Sequence, residues 1–224
     1  MFSDVMEDYL KAIYVLQAET GPPVSTSAIA EYLDKTPPTV TSMIGKLEDH
    51  SLVDREKYKG VELTTEGETV ALEVIRHHRL LETYLTEHLD YSWSEVHEEA
   101  DRLEHHISEE FEKRVAAALD YPEVDPHGDP IPGADLAPLE DDDSARLTEF
   151  EPSDHVVVSR VSDRDDEELA YLEDAGIVPG TELEITAVAP FGMITIKTPS
   201  GTEQSLPESV ARSVRVTPVV DAEQ

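Results

Sequence analysis

The chain has 224 residues, of which 50 are acidic and 17 basic, giving a formal charge of -33; hydrophobic residues make up 39% and cysteine is absent. Without cysteine, disulfides and thiolate metal sites are excluded, so any metal must be held by oxygen and imidazole nitrogen. No apolar run approaches the roughly 18 to 20 residues that span a bilayer, and MFSDVMEDYL opens on acids rather than on a basic segment and an apolar core, so a cytoplasmic protein is expected.

Amphipathic periodicity persists despite this charge, which argues against disorder. It predicts a solvated acidic surface suited to high intracellular salt, where screening makes mutual repulsion bearable. Val5, Met6, Tyr9, Leu10, Ile13 and Tyr14 fall at helical spacing and predict a first helix over 3–18, stopped by Gly21-Pro22-Pro23. Ser25 is placed to cap a short helix ending near Leu33. Another begins near Pro37 and Pro38, whose missing amide hydrogens suit a first turn. With Val40, Met43, Ile44 and Leu47 inward, this is a helix-turn-helix. LVDRE and VELT, joined by residues 57–60, read as a β-hairpin, which makes the unit winged.

Thr65 with Glu68 forms a capping-box pair opening a helix to about Leu89, and Ser92 with Glu95 opens another through about Leu119. Residues 122–145 are rich in proline and acid without periodicity and read as a linker. HVVVSRV, TELEITAV, MITIKT and SVRVT then give four or five short strands, with DDEELAYLEDAG helical between the first two, as in a small closed barrel. The expected fold class is mainly α: a winged helix-turn-helix (1–72), a helical dimerisation domain (73–121), the linker (122–147) and a C-terminal small all-β, SH3-like barrel (148–220).

Local charge bears on nucleic acid. From Lys35 to Gly60, five basic residues face four acids, a net of +1 that leaves -34 for the rest of the chain. The second helix of the helix-turn-helix and the wing thus escape the negative field. Thr36, Pro38, Thr39, Thr41 and Ser42, small or hydroxylated, sit where a major-groove reader meets base edges. Lys46, Lys57 and Lys59 are placed to touch phosphates. The plain alternative is caps and surface on a protein-docking winged helix.

On one continuous helix, His97, Asp101, Glu104 and His105 share a stripe beside the apolar row Val96, Ala100, Leu103, Ile107 and Phe111. His78 and Glu82, four apart, do the same on the preceding helix. Two antiparallel helices so marked would gather three nitrogens and three carboxylates, donors suited to a hard divalent ion. Chance pairing on an acidic surface is the plain alternative. His77 and His106, about 100° round the helix, are expected at the surface; His50, His88, His127 and His155 have no matching carboxylates. An enzyme is not expected: no histidine follows a Glu by three residues, Asp101 stands where HExxH needs its second histidine, and G-x-S-x-G and a phosphate-binding glycine loop are missing.

MEDYLKAIYVL, PPTVTSMIGKLEDHSLV, YKGVELTTEG, HHRLLETYL, VHEEADRLEHHISEE, HGDPIPG and LEDAGIVPG together resemble the metal-dependent repressors typified by the diphtheria toxin repressor and the manganese transport regulator. The resemblance implies a homodimer that binds double-stranded operator DNA and represses metal-uptake genes. It implies a primary metal site of Asp8, Asp101, Glu104 and His105. It also implies an ancillary site of His78, Glu82 and His97, with Asp165 and Glu168 from the C-terminal domain. Iron-sensing members usually carry Met and Cys where this chain has Asp8 and Asp101, so Mn(II) is the expected co-repressor, with Fe(II) the runner-up. The manganese branch usually has a carboxylate at Lys11 and often lacks the His97 equivalent and the barrel, so the chain resembles a hybrid. The C-terminal domain also resembles the small domain of ferrous-iron transport accessory proteins. That leaves an alternative: a metal-independent winged-helix regulator whose barrel docks a partner protein.

Overall fold

The structure, a computed structural model, describes residues 2–56, 59–93, 95–139, 143–190 and 192–219. The chain divides into two compact units, the first of residues 1–78, 102–114 and 131–139, the second of 79–101, 115–130 and 140–224. These bounds cross the expected ones, because the long helix after the wing and the proline-rich stretch each contribute to both units.

The first unit opens with α1 (Asp4–Thr20), whose Ser3 cap accepts from the Met6 amide and whose end is Gly21 at φ 77°. Ser25 Oγ caps α2 (Thr26–Tyr32) by accepting from Ala28 N at 3.1 Å. Next comes α3 (Pro37–Asp49), with prolines in its first turn, where no amide is missed. Leu10, Ile13, Ile29, Val40, Ile44, Leu47, Leu52 and Val61 pack into one core and are essentially inaccessible. The wing is β1 (Val53–Glu56) antiparallel to β2 (Gly60–Leu63). Gly60 lies at φ 147°, and a Cβ there would sit 2.1 Å from the Val24 carbonyl oxygen. That close approach lets Val24 bridge to Val61 and root the wing in the helical core.

The cap of α4 (Thr65–Leu89) is Thr64 rather than Thr65: its Oγ1 accepts from Gly67 N at 3.1 Å and donates to the Ser51 carbonyl. The helix expected from Ser92 to Leu119 is two helices, α5 (Val96–Leu103) and α6 (Glu109–Ala118). Ser108 starts the second, accepting from Phe111 N on its side chain and from Glu112 N on its carbonyl. Residues 104–108 are therefore a turn. A helical stripe running from His97 through Glu104 to His105 does not form.

The second unit holds a six-stranded antiparallel sheet: β3 (Ala145–Arg146), β4 (His155–Val161), β5 (Glu182–Val188), β6 (Ile194–Lys197), β7 (Glu203–Leu206) and β8 (Val214–Pro218), ordered β3-β8-β4-β5-β6-β7. The sheet is open rather than a closed barrel: among the described residues no hydrogen bonds join its edges β7 and β3, which are only four and two residues long. Val156, Val158, Leu183, Ile185, Ile194, Ile196 and Val216 alternate inward and bury a core with Leu169 and Leu172 of α7 (Asp166–Asp174); a short α8 (Glu208–Ser213) precedes β8. The supposed linker is ordered where it meets this unit. Asp125 Oδ1 accepts from the amides of His127 and Asp129, the His127 carbonyl accepts from Val161 N, and a Cβ on Gly128 (φ 89°) would meet the Ser159 oxygen at 2.1 Å.

Candidate metal centre and nucleic-acid interface

In the first unit, α1 and the 104–108 turn bring Asp8, Glu104 and His105 together, one ligand atom from each lying within 4.8 Å of the others. An ion with bonds of roughly 2 to 2.5 Å spans such a set after slight contraction. Glu104 is 1% exposed, a buried carboxylate that needs positive charge near it. The His105 ring is pinned at both nitrogens: Nε2 lies 2.9 Å from Asp8 Oδ1 and 3.5 Å from Glu104 Oε1, while Nδ1 lies 2.7 Å from Glu7 Oε2. The Asp8 hydrogen bond does most to raise its pKa. Burial opposes this, and the Glu7 hydrogen bond with the charges of Glu104 and Asp8 carries it to about 9. Without a metal this ring is an imidazolium. Nε2 is the nitrogen among the ligand oxygens, so Nδ1–H to Glu7 is the bond that can persist and orient the ring when Nε2 ligates.

The same turn is held from α4. His77 Nδ1 lies 3.0 Å from the Glu104 carbonyl oxygen and its Nε2 3.6 Å from Glu112 Oε2, while Arg76 Nε donates to Glu112 Oε1 at 2.6 Å. His77 is thus buried, against the expectation of a surface ring, because the break after Leu103 folds the Glu104 carbonyl onto it. His106 is 65% exposed, as its position suggested. His78 lies in this unit, its Nδ1 2.6 Å from Glu104 Oε2.

The second unit carries another cluster. Glu82 of α4 is fully buried, with Oε1 3.1 Å from His97 Nδ1, and that nitrogen is 3.3 Å from Asp163 Oδ2. Asp101, half exposed, lies 3.6 Å from His97 Nε2, one turn along α5. The acid that reaches His97 from the sheet domain is therefore Asp163. Asp165 Oδ1 is committed to capping α7, accepting from the Glu167 and Glu168 amides at 3.0 Å, and Glu168 stands in that first turn.

Behind this lie Asp125 and His127, which also group with Glu82. His127, wholly buried, lies with its Nε2 3.1 Å from the Trp93 carbonyl and its Nδ1 3.7 Å from Glu82 Oε2. A donating Nε2–H leaves Nδ1 as the ligating nitrogen, and Nδ1 has no hydrogen-bond partner. Burial pulls its pKa down, but Glu82, Asp125 and Asp163 together raise it to about 9. Asp125 is raised to about 8, by burial first and then by the charges of Glu82 and Asp129, against Arg79 and His127. Both clusters hold protons where a dication would remove the need for them. The donors fit such an ion. Glu7, Asp163 and Asp125 were not singled out from sequence, and His127, expected to have no matching carboxylates, stands beside Glu82 and Asp125.

On the DNA side, Thr36, Pro38, Thr39, Thr41, Ser42 and Lys46 are all exposed along the outer face of α3 and its cap. Thr36 and Thr39 hydroxyls bond each other at 2.9 Å, and Thr41 donates to the Pro37 carbonyl. Lys59 is tied to Glu56 at 2.6 Å, a hydrogen bond that raises its pKa. Lys57 lies outside the described residues.

A winged helix with an exposed hydroxyl-rich face, joined to clusters of carboxylate and imidazole donors, defines a metal-responsive DNA-binding protein. Residues 1–61 match the iron dependent repressor N-terminal DNA binding domain, residues 64–133 the iron dependent repressor metal binding and dimerisation domain, and residues 145–218 the FeoA domain. The chain belongs to the iron-dependent repressor family, whose members are metal-dependent DNA-binding transcriptional repressors and not enzymes. It is 35% identical to the iron-dependent repressor IdeR of Mycobacterium tuberculosis over 95% of this chain and 96% of that one, and 32% identical to the diphtheria toxin repressor of Corynebacterium diphtheriae with the same coverage. Among solved structures, a manganese-dependent transcriptional repressor in complex with manganese superposes with a TM-score of 0.88 at 37% identity, covering 96% of this chain and all of that one. ScaR with bound Zn2+ gives 0.81 at 32%, over 96% and 99%.

Proposed function

We propose that this repressor takes Mn(II) as its co-repressor, with Fe(II) second, acts in the cytoplasm and binds operator DNA as a homodimer. The supporting observation is the sulfur-free donor set Asp8, Glu104 and His105, which brings α1 of the winged head to the turn between α5 and α6. Hard oxygen donors with one imidazole favour Mn(II) or Fe(II) over softer ions. Bound there, the ion supplies positive charge that fixes α1 against this turn. Asp8, Glu104 and His105 would hold it, with Glu7 orienting the ring through Nδ1 and His77 holding the turn. Glu82, His97 and Asp163, with Asp125 and His127, form a second station. A dimer reads two half-sites about one helical turn apart, so fixing α1 sets the spacing of its paired heads.

The test is titration of promoter fragments, recovered by metal-dependent selection from genomic DNA, with Mn(II), Fe(II) and no metal. Mn(II) is expected to tighten binding most, and operator DNA must tighten Mn(II) binding by the same factor. A Glu104→Ala, His105→Ala double variant that keeps its full Mn(II) response removes the site. Asp101→Ala and His78→Ala, expected ligands from the resemblance, belong in the same series. Equal affinity with and without metal favours a metal-independent regulator.

A further inference from the structure

Residues 131–139 of the proline-rich stretch belong to the first unit, where they span the two elements that the first cluster also joins. At one end Pro132 is buried and its carbonyl accepts from Arg76 Nη1 of α4 at 2.5 Å, beside Ile131, which is 8% exposed. At the other end Leu139 N donates to the Tyr14 hydroxyl of α1 at 3.3 Å. Between the anchors the chain doubles back on itself: Leu136 N donates to the Gly133 carbonyl and Ala137 N to Asp135 Oδ1. These internal bonds take up free length, so the segment is a short strap rather than slack chain.

Both anchors lead to the metal donors. The Arg76 guanidinium that donates to Pro132 also donates through Nε to Glu112 at 2.6 Å, and Glu112 faces the His77 ring, whose Nδ1 donates to the Glu104 carbonyl. Tyr14 is six residues from Asp8 on α1, about 9 Å along one helix. The 104–108 turn and α1 are thus joined twice, once by the donors Asp8, Glu104 and His105 and once by the strap. A site whose halves are held together before the ion arrives binds it more tightly, because the fraction of chains in the competent arrangement scales the apparent affinity.

We infer that residues 131–139 are a tether that positions α1 against the 104–108 turn, with Tyr14 and Arg76 as positioning residues for the first metal cluster. This rests on Asp8, Glu104 and His105 being ligands.

The experiment measures Mn(II) affinity of the full chain by chelator competition, and hydrogen exchange of residues 131–139 with and without Mn(II). It uses the parent, Tyr14→Phe, and a chain with two glycines inserted between Ala137 and Pro138, which slackens the strap without removing a side chain. Each change should weaken Mn(II) binding about two- to tenfold, the worth of one hydrogen bond. Linkage requires the converse, that Mn(II) slow exchange at the Leu139 amide of the parent by a comparable factor. That slowing should vanish in Glu104→Ala, His105→Ala. Unchanged Mn(II) affinity in either strap variant overturns the inference, even where the metal-free unfolding midpoint falls, since that describes a strap that only stabilises the fold. So does exchange that Mn(II) leaves unaltered in the parent, or slows equally in the double variant. If His105→Ala binds as much Mn(II) as tightly as the parent, it is the ligand assignment that fails, which separates the two outcomes.

Discussion

Metal affinity at the first cluster should depend on pH far above the ordinary histidine range. The His105 ring, between Glu7 and Asp8, titrates at about 9, so at pH 7 roughly 99% of metal-free chains carry its proton. Ligation needs the neutral ring, and each ion must expel about one proton. Apparent affinity therefore falls about tenfold per unit below 9, and lowering pH from 8.5 to 6.5 should weaken it on the order of 80-fold. A ring titrating at the unperturbed value of about 6.5 would give roughly a twofold change over the same interval. The measurement is Mn(II) competition against a chelator of known proton dependence, with calorimetry in two buffers of different ionisation enthalpy to count the proton released at pH 7. His105→Ala supplies the blank for other sites. A change under about threefold, with no proton released, refutes the reading that carboxylates hold this ring protonated until metal arrives.

Without metal the fold should weaken as pH rises. His105 and His127 bind protons more tightly folded than unfolded, a contribution present in full below about 6.5 and lost through about 9; Asp125, raised to about 8, has the same sign. Thermal unfolding of metal-free chain at pH 6.5 and 9 checks this, an equal or higher midpoint at pH 9 contradicts it, and Mn(II) should stabilise more at the higher pH. Lys46→Ala should weaken operator and random DNA alike and reduce the slope of log affinity against log salt by about 0.9, one phosphate contact, in filter-binding titrations. A selective loss for operator would move Lys46 to the base-reading set. Gly60→Ala, at φ 147° against the Val24 carbonyl, should cost about 1 to 3 kcal/mol in denaturant unfolding, and a loss below about 0.5 kcal/mol would show that the wing root can yield.

The winged head was legible because its signals are local: the apolar spacing of α1 and α3, the Ser25 cap, the prolines opening α3. The break at 104–108 was not, since Glu-His-His-Ile is compatible with a helix and only Ser108 marks the restart. His77, expected at the surface because it lies about 100° round its helix from His78, is covered by that turn. Asp163 escaped notice because it lies in a turn before α7, far along the chain from its partner His97. His127 sits in a stretch whose prolines and acids resemble a linker, yet Gly128 lets the backbone lie against β4 and bury the ring beside Trp93. The open sheet depends on β8 inserting between β3 and β4, a pairing between distant strands that no local pattern announces.

The donors of both clusters are carboxylates and imidazoles, and the chain has no thiol to oxidise. Peroxide that would convert a ligating cysteine to a sulfenic acid finds no such target here. Oxidative stress can then reach this switch through the valence of the ion it holds, which would make an iron-loaded form vulnerable where a manganese-loaded one is not.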